Sequence, residues 1–520
     1  MKTITIDPVT RIEGHLKIEV VVDGGVVKEA RSSGTLFRGF EIFLRGRDPR
    51  DAARMTQRVC GVCPVAHATA SALALDEAFG LSSKVPPNGR ILRNMILGSN
   101  FLQSHILHFY ALSALDYVDV AALDEAGPDE AELRAVRRFL ERGQLGPFVP
   151  RYKTEFRLPK HVNRAAIAHY VKALEIRRIC HEMIAIFGGR MPLQMATFVG
   201  GVLSTPTDDG IAAFLAKLAR VRDFVKNAYL PDILAVAKAY PEHFELGRSG
   251  SNFLAYGAFD QAPACGPVSE RKRFFPAGAV RNGVLSRVDV SAITEDVARS
   301  FFTDDCAAAP GEGKTEPAVA KEGAYSFLKA PRYGKEPFEV GPLARTMVAY
   351  LAGAKPQKET VDGVLAEAGL RLENFGGTLG RHASRAIEAA LLTDALERWA
   401  MELVPGEPAC AEGPPPKEAR GVGLTDAPRG ALGHWLEVGE GKIKNYQLVV
   451  PTTWNASPRD AAGRPGPIES ALVGAPVRDE ANPTEVVRIV RSFDPCLACA
   501  VHVVGVRRDS AGDGRVVRVA

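Results

Sequence analysis

Residues 15 to 32, HLKIEVVVDGGVVKEARS, alternate apolar and polar side chains on both sides of Asp23-Gly24-Gly25, and a period of two broken by a glycine turn predicts a β-hairpin. From 90 to 118 the spacing changes. Apolar residues now recur at helical intervals, at Ile91, Met95, Leu102, Ile106, Leu107 and Tyr110, after the break at Pro86-Pro87-Asn88-Gly89. So long a run of apolar and aromatic residues predicts a buried core helix. A second helix is expected over about 164–187, stopped by Gly188-Gly189, and a third over about 208–229, which Pro231 should end or kink. Residues 363–403 supply two more helical segments, interrupted by Gly376-Gly377 and Gly380. Segments 305–337 and 405–420 read as loops, and no fixed-period repeat is present. The pattern describes a mainly α protein of the α+β class, with small β-sheets flanking a central bundle of long helices.

Composition narrows the function. The chain has 520 residues, with 65 Lys plus Arg against 61 Asp plus Glu, and 65 − 61 leaves +4. A charge-driven nucleic-acid binder needs clustered basic excess, so that class is excluded. At 46% hydrophobic and 24% charged residues the chain is globular and not disordered. Met1 to Gly14 carries Lys2, Asp7, Arg11 and Glu13 in place of an apolar signal region, and no run of 18 consecutive apolar residues occurs. By itself this points to the cytoplasm. Export as a folded complex with a signal-bearing partner stays open.

The eight cysteines, at 60, 63, 180, 265, 306, 410, 496 and 499, are too sparse for a disulfide-stapled scaffold. Four of them form two Cys-x-x-Cys pairs, RVCGVCPVAH (58–67) and DPCLACAVH (494–502), near opposite ends of the chain. One such pair could be a redox dithiol or two ordinary buried cysteines. Two matched pairs, each with a histidine close behind, point to metal binding. A zinc module gathers its ligands within one short segment, so this separation predicts a site buried between the two ends of a large fold. Thiolates select soft or borderline metals such as nickel, iron, copper(I) or zinc, and the residues alone leave that choice open.

These two motifs resemble the paired signatures of the nickel-iron hydrogenase large subunit. TRIEGH (10–15), SGTLFRGFE (33–41), GRDPRDA (46–52), SHILHFYALSALDYV (104–118), DAPRGALGHW (426–435) and NYQLVVPTTWN (445–455) resemble other landmarks of that family, in order along nearly the whole chain. The same fold without the cysteines serves in respiratory complex I. Retention of all four thiols is therefore what points to hydrogenase chemistry, the reversible conversion of H2 to two protons and two electrons. The alternative is a complex I-like or zinc-binding structural or electron-transfer component.

The resemblance implies a nickel-iron centre, with Cys60 and Cys496 terminal on nickel, Cys63 and Cys499 bridging, and carbon monoxide and cyanide on iron. Cys496 serves as proton acceptor and Glu13 relays the proton outward; taken alone, Glu13 is a partner for Arg11 or a solvated charge. Arg429 overlies the open coordination positions, oriented by Asp494, and Thr452 is a second donor to cyanide. His67, four residues after Cys63, hydrogen-bonds a bridging sulfur. Some members carry an aspartate where this chain has Ser104. His105 and His108 read as packed core histidines without a catalytic role. Glu41, the carbonyl of Leu448 and the side chain of His502 match magnesium ligands; without the family, Glu41 reads as a surface residue.

Residues 1–502 are expected to form one catalytic domain, and 503–520 resemble an extension that a maturation protease removes. Cysteines 180, 265, 306 and 410 form no iron-sulfur pattern. Electrons must therefore leave through a partner. The resemblance supplies a small subunit with iron-sulfur clusters and, through it, a membrane cytochrome. The ending DPCLACAVHV is most similar to the respiratory uptake group, which implies a periplasmic or membrane-associated heterodimer in which H2 is oxidised.

Overall fold

The structure is a computed structural model that describes residues 1–123, 131–143, 148 and 154–497. Its centre is a bundle of long helices. The helix Pro87–Leu107 packs between Lys160–Gly188 and Gly377–Glu402, with Asp208–Phe224 against the latter two. Close approach needs a missing side chain at Gly98, where a Cβ would stand 2.9 Å from Leu396 Cδ2. The helix predicted over 90–118 is real but not uniform, because it passes at His108–Ser113 into a π-turn and at Ala114–Asp116 into a 3₁₀ turn.

Pro231 neither ends nor breaks its helix. The helical run continues from Asp208–Phe224 through a π-turn at Val225–Tyr229 into Leu230–Ala239, and the widened turn lies just before the proline, where the ordinary i−4 bond would need the N–H that it lacks. Gly376 caps and Gly377 begins the helix Gly377–Glu402, which runs through Gly380 without a break, so none of the three glycines interrupts a helix, and the preceding helix starts earlier than expected, at Lys355–Ala368.

Three antiparallel strands form the N-terminal sheet, Lys2–Ile6, Leu16–Asp23 and Val26–Gly34, and the last two are the predicted hairpin. A second three-stranded meander, Ala419–Ala427, Gly430–Gly439 and Lys442–Val449, lies against the helix Pro64–Ala78. This contact is unusually close. A Cβ at Gly421 would stand 2.0 Å from Ala74 O, and one at Gly423 would stand 1.8 Å from Ala70 O, so only glycine admits the helix there. The result is functional placement: the helix that begins at Cys63 lies along the strand that ends at the 427–430 turn. Among the described residues no helix is long and apolar enough to cross a membrane.

Candidate metal centre

Cys63 caps the helix Pro64–Ala78, with Pro64 at the first position where its fixed φ suits a helix start. The loop before it is held from the central bundle, since Asn100 Nδ2 and Gln103 Nε2 both donate to the Val62 carbonyl, at 3.1 and 2.6 Å. Cys60 Sγ then accepts the backbone N–H groups of Val62 and Cys63, each at 3.2 Å, an arrangement suited to an anionic sulfur.

Cys496 arrives from the other end of the chain. The helix Thr484–Ser492 is followed by Asp494 in the left-handed region, at φ 56°, a conformation that aspartate tolerates better than most residues. The backbone of 495–497 then pairs in parallel with Glu13: Glu13 N–H reaches Pro495 O at 3.3 Å, and Leu497 N–H reaches Glu13 O at 2.8 Å. Thr452 Oγ1 accepts the Cys496 N–H at 3.0 Å.

The two ends meet where the cysteine spacing placed them. The sulfurs of Cys60, Cys63 and Cys496 lie within 4.8 Å of one another, all buried. Cys60 Sγ and Cys496 Sγ are 3.1 Å apart, well beyond the ~2.05 Å of a disulfide. Cys499 and His502 lie outside the described residues, as does the extension 503–520. The Cys496 thiol also stands 3.1 Å from Glu13 Oε2, to which it donates. Arg11 does not partner Glu13: it pairs with Asp116, which also binds Arg491 at 2.7 Å.

Arg429 is indeed a turn arginine after a proline, at the tip of the tight hairpin that joins Ala427 to Gly430. Hairpin tips are normally wet, yet this one is buried, with its side chain 2% exposed. Arg429 Nη2 donates to Asp494 Oδ1 at 2.9 Å, Nε to Asp494 O at 3.0 Å, and Nη1 to Ser104 Oγ at 3.3 Å. Burial opposes its charge, but Asp494 and the thiols of Cys496, Cys63 and Cys60 outweigh that and hold the guanidinium firmly protonated. Beneath it Arg345 donates to the carbonyls of Ala427 and Pro428, at 2.9 and 3.0 Å, while paired with Glu388. No motif singled out Arg345.

His67 sits on the thiol helix one turn after Cys63, with Nδ1 3.2 Å from His434 Nε2. His105 and His108 behave as core residues. His105 bonds Glu388 at 2.9 Å and His108 bonds the Arg491 carbonyl at 2.7 Å, and burial lowers the pKa of both.

Glu41 is 5% exposed, not the surface residue that amphipathicity suggested. Its Oε1 accepts the Leu448 N–H at 2.8 Å and its Oε2 accepts the Thr315 hydroxyl. Around them lie Lys329, Glu295 and Gln447: Lys329 Nζ is 3.1 Å from Glu295 Oε2 and 3.4 Å from Gln447 Oε1. Two of the three residues expected to hold magnesium, Glu41 and Leu448, are therefore neighbours, joined through the Leu448 N–H. Lys329, Glu295 and Thr315 carry no sequence signal, because isolated residues in irregular segments form no pattern.

Three buried thiols beside a carboxylate, facing a held arginine, suit a soft or borderline ion of the nickel and iron kind. A family model described as nickel-dependent hydrogenase matches residues 38–502, and a second, described as HoxL-like, matches residues 3–33. The periplasmic [NiFeSe] hydrogenase large subunit of Desulfomicrobium baculatum is 44% identical, over 99% of this chain and 97% of the relative. The uptake hydrogenase large subunit of Rhizobium leguminosarum is 37% identical, over 97% and 95%. Among solved structures, the Ni-Fe-Se hydrogenase of D. vulgaris Hildenborough in its reduced state superposes with a TM-score of 0.84 at 45% identity, covering 96% of this chain and 100% of that one. These relatives are all hydrogenases, and nothing supports the zinc-binding or complex I-like alternative. The chain belongs to the nickel-dependent hydrogenase family, as a catalytic large subunit that acts on dihydrogen.

Proposed function

We propose that this chain oxidises H2 to two protons and two electrons at a nickel-iron centre held by Cys60, Cys63, Cys496 and Cys499, and that the proton leaves through Cys496 and Glu13. Bound there, such a centre supplies Lewis acidity toward H2 and the redox capacity for two electrons. The chain's own residues do the rest. The Cys496 sulfur accepts a proton, and Glu13 Oε2, at 3.1 Å, is within direct hydrogen-bond reach to take it onward. That contact carries the proposal. Arg429, locked by both the carboxylate and the carbonyl of Asp494, keeps a fixed positive charge close enough to the thiols to interact with them electrostatically. Thr452 fixes the Cys496 backbone and has a hydroxyl proton to offer, so Arg429 and Thr452 are the donors proposed for cyanide on an iron that would also carry carbon monoxide.

Glu41, the Leu448 carbonyl and His502 are proposed to hold magnesium, which closes the C-terminal end against the site. The family match runs to residue 502, which supports a mature chain of 1–502 with 503–520 removed by a protease. An iron-sulfur small subunit is the proposed electron acceptor, passing electrons to a membrane cytochrome. The relative from D. baculatum is named periplasmic, which supports export with that partner.

Elemental analysis of the purified complex tests the reading. Nickel and iron in comparable amounts, with infrared bands of bound carbon monoxide and cyanide, are expected; zinc alone overturns it. Relatives are named for selenium as well, but all four thiol positions here are cysteine in the sequence, so no selenium is expected.

A further inference from the structure

The peptide that joins Val62 to Cys63 is gripped from both sides. On one side its carbonyl, that of Val62, accepts from Gln103 Nε2 at 2.6 Å and from Asn100 Nδ2 at 3.1 Å. On the other its N–H, that of Cys63, points at Cys60 Sγ, 3.2 Å away. In a trans peptide the C=O and N–H lie in one plane and point in opposite directions, so whatever fixes the carbonyl also aims the N–H. A donor on the carbonyl further polarises the unit and strengthens the hydrogen bond that its N–H gives.

Gln103 is in turn held from behind. Its Oε1 lies 3.2 Å from Arg177 Nε and 3.3 Å from His181 Nε2, two residues one turn apart on the helix Lys160–Gly188. An amide can be turned end for end, but only one sense works here. A carbonyl can only accept and a guanidinium can only donate, so Gln103 must keep its NH2 toward Val62 and its oxygen toward Arg177. His181 does not make that choice. Burial and the charge of Arg177 push its ring down to about 4, so it is neutral and can present a donor or an acceptor, whereas Arg177 donates in every state. Gln103 is fully buried, and Arg177 and His181 are half-buried, so the chain runs inward from the edge of the bundle. Asn100 has no such backing, since its Oδ1 meets no donor among the described residues.

We infer that Arg177 and Gln103 are positioning residues that aim the Cys63 N–H at Cys60 Sγ and so set how electron-rich that sulfur is. Hydrogen bonds in series, from Arg177 to Gln103, from Gln103 to the Val62 carbonyl and from the Cys63 N–H to sulfur, tie the thiol loop to a helix that carries none of the site's thiols. This rests on the metal-centre reading above. A sulfur that loses an N–H donor gives more electron density to a bound metal, which lowers the metal's reduction potential.

The test uses the full chain purified with its partner subunit, comparing wild type, Gln103→Leu, Gln103→Glu, Arg177→Met and the double variant of Arg177→Met with Gln103→Leu. The readouts are deuterium exchange of the loop amides at 60–63, nickel and iron content, the nickel electron paramagnetic resonance spectrum, the nickel-centred midpoint potential and H2 turnover. Gln103→Leu deletes the donor, and Gln103→Glu sets a carboxylate, kept ionised by Arg177, against the Val62 carbonyl. Both are expected to speed loop exchange by about tenfold or more, shift the nickel g-values, lower the potential and cut turnover by about tenfold or more, the range typical when an outer partner of a metal ligand is lost. Arg177→Met is expected to move the same readouts in the same directions by a smaller factor, and it decides the matter if the Gln103 variants do not fold. Because Arg177 acts through Gln103, the double variant is expected to be no worse than Gln103→Leu, and effects that multiply overturn that link. Wild-type exchange, g-values and potential in the single variants overturn the inference as a whole, as does a fall in turnover that only tracks lost metal. Wild-type protein without nickel overturns the metal reading, while loop exchange in that same protein still decides whether Gln103 aims the N–H.

Discussion

Glu13→Gln is the sharpest perturbation the structure offers. The substitution keeps side-chain length and an oxygen acceptor near Cys496, but an amide cannot take up the proton that the carboxylate is proposed to receive across 3.1 Å. The backbone pairing of Glu13 with 495–497 uses main-chain atoms only and is untouched, so the thiol cluster should still assemble. A positioned general base contributes about 10²- to 10⁴-fold. At about 1.36 kcal/mol per tenfold, its loss raises the barrier by roughly 2.7–5.5 kcal/mol. Dye-linked H2 uptake and H/D exchange should therefore both fall by at least about a hundredfold, with nickel and iron content unchanged. Glu13→Asp, shorter by one C–C bond of about 1.5 Å, should fall between the two. Exchange and uptake within about threefold of wild type in the Gln variant, at full metal loading, would remove Glu13 from the proton route.

Further outcomes follow from burial. Arg429→Met leaves Asp494 charged and unpaired in a site where both side chains are at most 2% exposed; breaking such a pair costs about 3–5 kcal/mol, and a lowered denaturant midpoint should report it together with lost turnover. Glu469 is pushed up to about 7 by burial, against the opposing N–H of Ser32 and hydroxyl of Tyr325. The folded chain thus keeps a proton that the unfolded chain releases near 4.5, so this contribution is whole below about pH 4.5 and is lost as pH rises through about 7, by roughly 3 kcal/mol. Glu469→Gln should flatten that part of the stability profile between pH 5 and 8, and an unchanged slope would refute the assignment. Cys265 is exposed whereas Cys180 and Cys306 are buried, so brief alkylation of the native chain followed by peptide mass mapping should mark the first and spare the other two.

What the sequence revealed and what it hid divide along the range of the interactions. The hairpin around Asp23-Gly24-Gly25 and the helix stop at Gly188-Gly189 are set by neighbouring residues, and both are found where the pattern put them. The two Cys-x-x-Cys pairs could be joined in thought because thiols have few other uses in such spacing. Long-range choices were less legible. The spacing over 90–118 predicts a single buried helix, but its last part passes into π and 3₁₀ turns under tertiary packing, including the His108 bond to the Arg491 carbonyl. The thiol helix Pro64–Ala78 and the meander passed unnoticed in the hydrophobic pattern. The helix is almost wholly buried and has no polar face to give it a period, and the strands Ala419–Ala427 and Gly430–Gly439 are likewise buried along most of their length. Arg345, Gln103 and Lys329 were invisible for another reason: each acts on a backbone carbonyl or a lone carboxylate far away in sequence, and single residues leave no signature.

That division also explains why the distance between the cysteine pairs is useful and not an accident to be overcome. Among the described residues the thiols are held from different parts of the chain: Cys60 and Cys63 share one loop, in which Cys60 accepts the N–H groups of Val62 and Cys63 and the central helix holds the Val62 carbonyl, and Cys63 also starts a helix that two glycines bring against the meander; Cys496 is held by Glu13 and Thr452. A Cys-x-x-Cys loop alone could offer two sulfurs to any soft ion, as small zinc modules do. Here a third sulfur, a proton acceptor and a buried cation join the first pair only if the N-terminal turn, the 427–430 hairpin and the segment after Ser492 have all docked. On the proposed reading, metal specificity and proton transfer thus depend on the completed fold, and substitutions at Asp494 or Thr452 should weaken both, since these residues hold Arg429 and the Cys496 backbone without themselves offering a thiol.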